Sequence, residues 1–215
     1  RAHRRAGMTM ADKDPIAFYF DIFSPFAYLA SHRIDAIAMR YGRTTDWRPV
    51  LVGITVLKVM GMKPLMTYPL KGPYLRRDAE RLAQMWNVPF QFHGLKGHHS
   101  LNAMRAYVWL KQSDPALAKR FAQAMYRRLW VDNQDITQPE DVMVEAAKLG
   151  IDTTELRAAI TSDAIKKALK DEVESAINKG VFGVPFVIAD DEPFFGCDHL
   201  PMLEHWLEHG RWKTA

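Results

Sequence analysis

What limits the folds open to this chain is where its strand code lies. Dense apolar and aromatic runs occupy the two ends, and the residues between them carry helical periodicity. At the first end Ile16 to Phe23 reads as a strand, and from Pro25 to Tyr41 the residues Phe26, Leu29, Ile34, Ile37 and Ala38 fall near helical spacing, with Gly42 as a stop. "TTDWRPVLV" then reads as a second strand, which gives a βαβ unit. After a Gly/Pro-punctuated stretch over 61–73, helices are predicted from Pro73-Tyr74 to Trp86 and over 101–112, 115–130, 139–148 and 153–178. Asp114-Pro115 and Gln138-Pro139 place proline in a first helical turn. The strand code returns in "GVPFVIAD", Asp190-Asp191 offers a turn, and "EPFFG" is the hairpin partner. "CDHLPMLEHWLEHG" closes the chain as a helix that Gly210 stops. The order is therefore βαβ, a helical block, then ββα.

Composition excludes several functions. The net charge of +4 falls to +1 without Arg1, Arg4 and Arg5, and no basic stripe with interleaved aromatics remains, so nothing points to nucleic acid. No apolar run approaches the ~20 residues that span a bilayer. One cysteine, Cys197, permits no intrachain disulfide and no CxxC motif, which makes a reducing, cytoplasmic location the default. The Arg-rich start lacks an apolar signal region and reads as a disordered extension over residues 1–14.

Five groups of residues could carry chemistry. Ser24 stands where the first strand hands over to a helix, and Ser-Pro is a common cap, so it either closes the helix or uses the positive field there to stabilise an anion such as a thiolate. No Gly-x-Ser-x-Gly elbow surrounds it, so it is not read as a nucleophile. Pro185 either opens a strand or follows Val184 through a cis bond that presents the Val184 backbone to an extended ligand. At the entry to the last helix, Asp198 reads as an N-cap, while Gly196 would let a ligand's charged end approach. Cys197 reads as a small turn residue, since nothing pairs it with a histidine. His93, His98 and His99 lack carboxylates at ligand spacing and no HExxH occurs, so no metal is expected. Lys58 and Arg105 are ordinarily solvated, but in a cleft either would attract an anionic substrate.

"FYFDIFSPFAYLA", "RPVLVGITVLKVMG", "YLRRDAERLA", "GVFGVPFVI" and "FFGCDHL" occur in this order. Together they resemble the 2-hydroxychromene-2-carboxylate isomerase family, which is related to kappa-class glutathione transferases and DsbA-like proteins. The resemblance runs from Ala17 to Leu207. It implies an α/β, thioredoxin-like fold (βαβ…ββα) made of 15–60 and 180–212, with an inserted all-helical domain over 61–179. It also implies a homodimer that uses glutathione as cofactor on a small aromatic carboxylate from hydrocarbon degradation. Ser24 matches the serine that hydrogen-bonds the glutathione thiol. Val184, before Pro185, matches the residue whose backbone pairs with the cysteinyl unit, and Phe195, Gly196, Cys197 and Asp198 match the turn that holds the γ-glutamyl end. Lys58 matches a lysine on the substrate side, where Lys63, Pro64 and Asn102 are also expected. The chain departs from the family pattern at Cys197, where an asparagine often stands, and at His199, where an arginine often stands.

Two other outcomes use the same residues. Glutathione transfer to an electrophile would employ Ser24 and consume the thiol, whereas a peptide-binding module would use the Val184-Pro185 edge and tolerate loss of Ser24. Disulfide exchange is excluded, because the position that would hold the attacking cysteine is Ser24.

Overall fold

The computed structural model describes residues 14–92 and 99–212. Four strands form one mixed sheet: β1 (Ile16–Phe20), β2 (Thr45–Pro49), β3 (Phe186–Ala189) and β4 (Glu192–Phe195), in the order β2-β1-β3-β4. β1 runs parallel to β2, with Phe18 opposite Trp47, and antiparallel to β3, with Phe18 opposite Val187. β4 returns antiparallel on β3 through a turn at Asp190 and Asp191, both at positive φ. Both ends of the chain thus contribute to one sheet. Arg43 fastens them, its guanidinium reaching the Asp14 carbonyl and, at 3.0 Å, the Asp190 carboxylate.

Nine helices of seven or more residues are present among the described residues: α1 (Pro25–Ser31), α2 (Ile34–Arg40), α3 (Lys71–Trp86), α4 (Leu101–Ser113), α5 (Pro115–Trp130), α6 (Pro139–Lys148), α7 (Thr153–Thr161), α8 (Asp163–Asn178) and α9 (Leu200–His209). The expected starts hold where capping is local. Asp114 accepts from the Leu117 amide, and Gln138 with Asp141 forms a capping box.

Several expected spans change. β1 ends at Phe20 rather than Phe23, because the Asp21 carboxylate takes the Phe23 amide at 3.0 Å and turns the chain. The second strand stops at Pro49, and Val52–Ile54 is already helical, followed by a wider π-turn over Thr55–Val59. The helix expected over 25–41 breaks after Ser31, whose hydroxyl bonds back to the Tyr28 carbonyl at 2.6 Å while Gln123 occupies its own carbonyl at 3.3 Å. The helix expected over 153–178 divides at Ser162, which ends α7 and caps α8 by accepting from the Ile165 amide. Residues 1–13 of the expected extension lie outside the described residues, as do His93 and His98.

The core is continuous from sheet to helices. Phe20, fully buried, packs against Trp47 of β2, Tyr107 of α4 and Tyr126 of α5 at ring-centroid distances of 5.4, 4.9 and 6.2 Å. The polar tips of the helical aromatics then meet backbone carbonyls that the sheet leaves open. Tyr107 donates to Trp47 at 2.8 Å, Tyr126 to Asp21 at 3.2 Å and Trp130 to Ile22 at 2.9 Å. The loop after β1 is therefore fixed by the helical block. A smaller cluster of Tyr19, Val50, Ala176, Val181 and Phe186 joins β1, β3 and the end of α8.

Candidate functional site

Ser24 caps α1, as its sequence position suggests. Its amide donates to the Asp21 carbonyl at 3.0 Å, and its Oγ accepts from the Ala27 amide at 3.2 Å. The hydroxyl proton faces the Val184 carbonyl, 3.4 Å away across 160 residues of sequence. The Val184-Pro185 bond is cis and β3 begins after it, at Phe186. The Pro185 carbonyl accepts from the Gly196 amide at 2.9 Å, so the end of β4 hangs directly on this segment. Ser24, Val184-Pro185 and the turn from Phe195 to Asp198 thus form one contiguous rim.

Within that turn the residues divide in role. Gly196 sits at φ +95, a left-handed conformation that favours glycine, and Asp198 Oδ1 lies over the place where a side chain would begin. Asp198 exposes 75% of its side chain, leaving a carboxylate directed at solvent. It does not cap the last helix: Cys197–His199 forms a 3-10 turn, and α9 starts after His199 with no side-chain cap. His199 Nδ1 is buried with no hydrogen bond among the described residues, 3.4 Å from Asp198 Oδ1. Phe195 is 39% exposed beside Phe182, at a centroid distance of 4.6 Å.

Cys197 is buried, and that burial, reinforced by the nearby Asp198 charge, pushes its thiol up to about 12. At about pH 8 roughly one molecule in ten thousand would carry the thiolate. The native thiol is therefore expected to react with a disulfide reagent orders of magnitude more slowly than the same thiol in denaturant, and faster as pH rises toward 12. Rapid native labelling near neutrality would contradict this placement.

The residue that sequence reasoning passed over is Asp21. It is 2% exposed, and its carboxylate accepts from the Phe23 amide at 3.0 Å, the Val52 amide at 2.8 Å and the Ser100 hydroxyl at 2.5 Å. Burial raises its pKa, while those three donors favour the anion and limit the rise. The available signal was an acid at the end of an otherwise apolar strand, three residues before Ser24.

The residues expected on the substrate side are placed less compactly. Lys58 lies on the π-turn, exposed, with no ion pair among the described residues. Lys63 and Pro64 are exposed on the following loop, where the Pro64 carbonyl accepts from Thr67. Asn102 donates its amide to the Thr137 carbonyl at 2.9 Å, which ties the start of α4 to the turn before α6. Among the described residues, no hydrogen bond or ion pair joins these four to Ser24, Val184 or the 195–198 turn. Arg105 points to Ile160 at the end of α7. His99 donates its backbone amide to Thr137, and no group of three His, Cys, Asp or Glu suited to a metal occurs among the described residues.

A sheet built from both chain ends around a serine-capped helix and a cis-proline is a recognisable arrangement, and a DsbA-like thioredoxin domain model matches residues 15–208. The chain belongs to the DsbA-like thioredoxin family. Within that family its relatives include enzymes of two names. It is 30% identical over 193 residues to 2-hydroxychromene-2-carboxylate isomerase of Sphingobium xenophagum, covering 89% of this chain and 97% of the relative. It is 26% identical over 204 residues to glutathione S-transferase kappa 1 of Homo sapiens, covering 89% and 90%. A solved structure of 2-hydroxychromene-2-carboxylate isomerase superposes with a TM-score of 0.81 at 26% identity, covering 91% of this chain and 95% of that one. The DsbA-like frame here carries Ser24 at the head of α1 and keeps its one cysteine, Cys197, buried in the turn after β4.

Proposed function

We infer that this protein is a glutathione-dependent isomerase that interconverts 2-hydroxychromene-2-carboxylate and trans-o-hydroxybenzylidenepyruvate. The observation that carries the reading is the juxtaposition of the Ser24 hydroxyl with the Val184 carbonyl, 3.4 Å apart, beside a turn held by the Pro185 carbonyl. The rim fits glutathione in its donor set. Val184 offers backbone to a peptide unit, and the exposed Asp198 carboxylate, which lies over Gly196, complements the ammonium of a γ-glutamyl end.

When bound, glutathione supplies a thiolate that can act as nucleophile and leaving group. The protein's share is positioning and electrostatics. Ser24 keeps its Oγ as acceptor for the Ala27 amide, so its proton is free to turn from the long Val184 contact toward a sulfur anion. Lys58, exposed and without an ion pair among the described residues, would hold the substrate carboxylate.

The human kappa-class relative covers as much of this chain as the isomerase does, which keeps thiol transfer to an electrophile as a second reading. One experiment separates them. With catalytic glutathione, 2-hydroxychromene-2-carboxylate is expected to interconvert while titratable thiol stays constant. Thiol loss in step with substrate would assign a transferase, and the absence of any glutathione-dependent reaction would overturn the isomerase reading.

A further inference from the structure

We propose that Asp21 is a positioning residue that sets the Lys58 ammonium, on the substrate side, against the thiol site. The inference rests on the glutathione site proposed above. The Asp21 side chain joins three separate segments. Its Oδ1 takes the Phe23 amide inside the loop that carries Ser24 and the Ser100 hydroxyl at the head of α4; its Oδ2 takes the Val52 amide, where the helical turn leading to Lys58 begins. Its backbone carbonyl meanwhile accepts from the Ser24 amide at 3.0 Å and from Tyr126 at 3.2 Å.

These bonds differ in what they hold. The Ser24 loop is also fixed through backbone and by Trp130 on Ile22, so it survives a change in the Asp21 side chain. Apart from its own internal bonds to the Leu51 carbonyl, the Val52 turn is held by the Val50 amide on the Phe20 carbonyl at 2.8 Å and by the Val52 amide on Asp21. Leu51, its N-cap residue, makes no side-chain cap bond, and Asp21 Oδ2 is the acceptor that fills that role from 31 residues away. Lys58 follows on the same stretch of helical turns, so the direction in which that stretch leaves β2 determines where the ammonium group lies relative to Ser24. A buried carboxylate thereby couples two halves of a site that share no direct hydrogen bond among the described residues.

The test compares two electrophiles, 2-hydroxychromene-2-carboxylate and an uncharged chlorodinitrobenzene, in two variants. Asp21→Asn replaces one carboxylate oxygen by a donor. Val52→Pro removes the amide proton that Oδ2 accepts and exchanges the valine side chain for a ring; the extended Leu51 backbone, at ψ 104, suits a following proline, and proline is tolerated at a first helical position. Both variants are expected to raise KM for the carboxylate about tenfold, with glutathione affinity and turnover of the neutral electrophile within about twofold of the parent. Adding Lys58→Met to either should have little further effect, because the positioning acts through Lys58. Equal losses on both electrophiles, or additive losses with Lys58→Met, would overturn the proposal. Hydrogen exchange gives an answer that does not depend on the reaction. The amides of Ile54 and Thr55, which both donate to the Leu51 carbonyl, should lose protection in both variants, and unchanged protection would also overturn the proposal. If the parent protein itself fails to bind glutathione, the site reading falls and this inference falls with it.

Discussion

Ser24→Ala is expected to lower glutathione-dependent turnover on the order of a hundredfold, the usual effect of deleting one donor aimed at developing negative charge. The same substitution removes the acceptor for the Ala27 amide, so a loss of about 1 kcal/mol in stability should accompany it. The two effects separate with Ser24→Asp, which keeps a capping oxygen but replaces a hydroxyl donor by an anion next to the proposed thiol site. That variant should fold as well as Ser24→Ala or better and turn over no faster. Initial rates and thermal melts of the three proteins decide the matter. If Ser24→Ala retained more than half of the parent rate, Ser24 would be a cap and nothing more.

Phe20→Ala is expected to give the largest loss of stability. The ring is fully buried between Trp47, Tyr107 and Tyr126, where β1, β2, α4 and α5 meet, so truncation opens a cavity at the junction of sheet and helices. Substitutions of this kind cost about 3–5 kcal/mol. For a chain of this size that corresponds to a fall of roughly 10 °C in melting temperature. Because the core runs unbroken from the sheet into the helical block, unfolding should remain a single transition in parent and variant alike. Calorimetry that resolved separate sheet and helix transitions would refute the continuous core.

The helical starts were legible because their signals act within one turn of chain. Asp114 caps the Leu117 amide and Asp141 accepts from the Gln138 amide, each across three positions, and Ser24 does the same for α1. Where sequence reasoning ran too long, a partner from elsewhere had intervened. The helix over 25–41 breaks where Gln123 takes the Ser31 carbonyl, 92 residues distant, and the second strand gives way to a helical turn that Asp21 caps from the end of β1. Asp198 looked like a helix cap because its position fits one, but the chain forms a 3-10 turn first and leaves the carboxylate exposed.

Periodicity, capping pairs and turn residues determined the kind and order of the elements, and they placed Ser24 at the handover from β1 to α1. Tertiary structure decided how the candidate site is assembled. It brought the Val184 carbonyl to Ser24 across 160 residues, hung Gly196 on Pro185, and gave the buried Asp21 its partners at Val52 and Ser100. Local patterns encode which face of a segment is apolar and where its backbone groups run short of partners. Which distant group supplies the missing partner follows only when the whole core closes, since buried donors and acceptors must then find one another within about 3 Å.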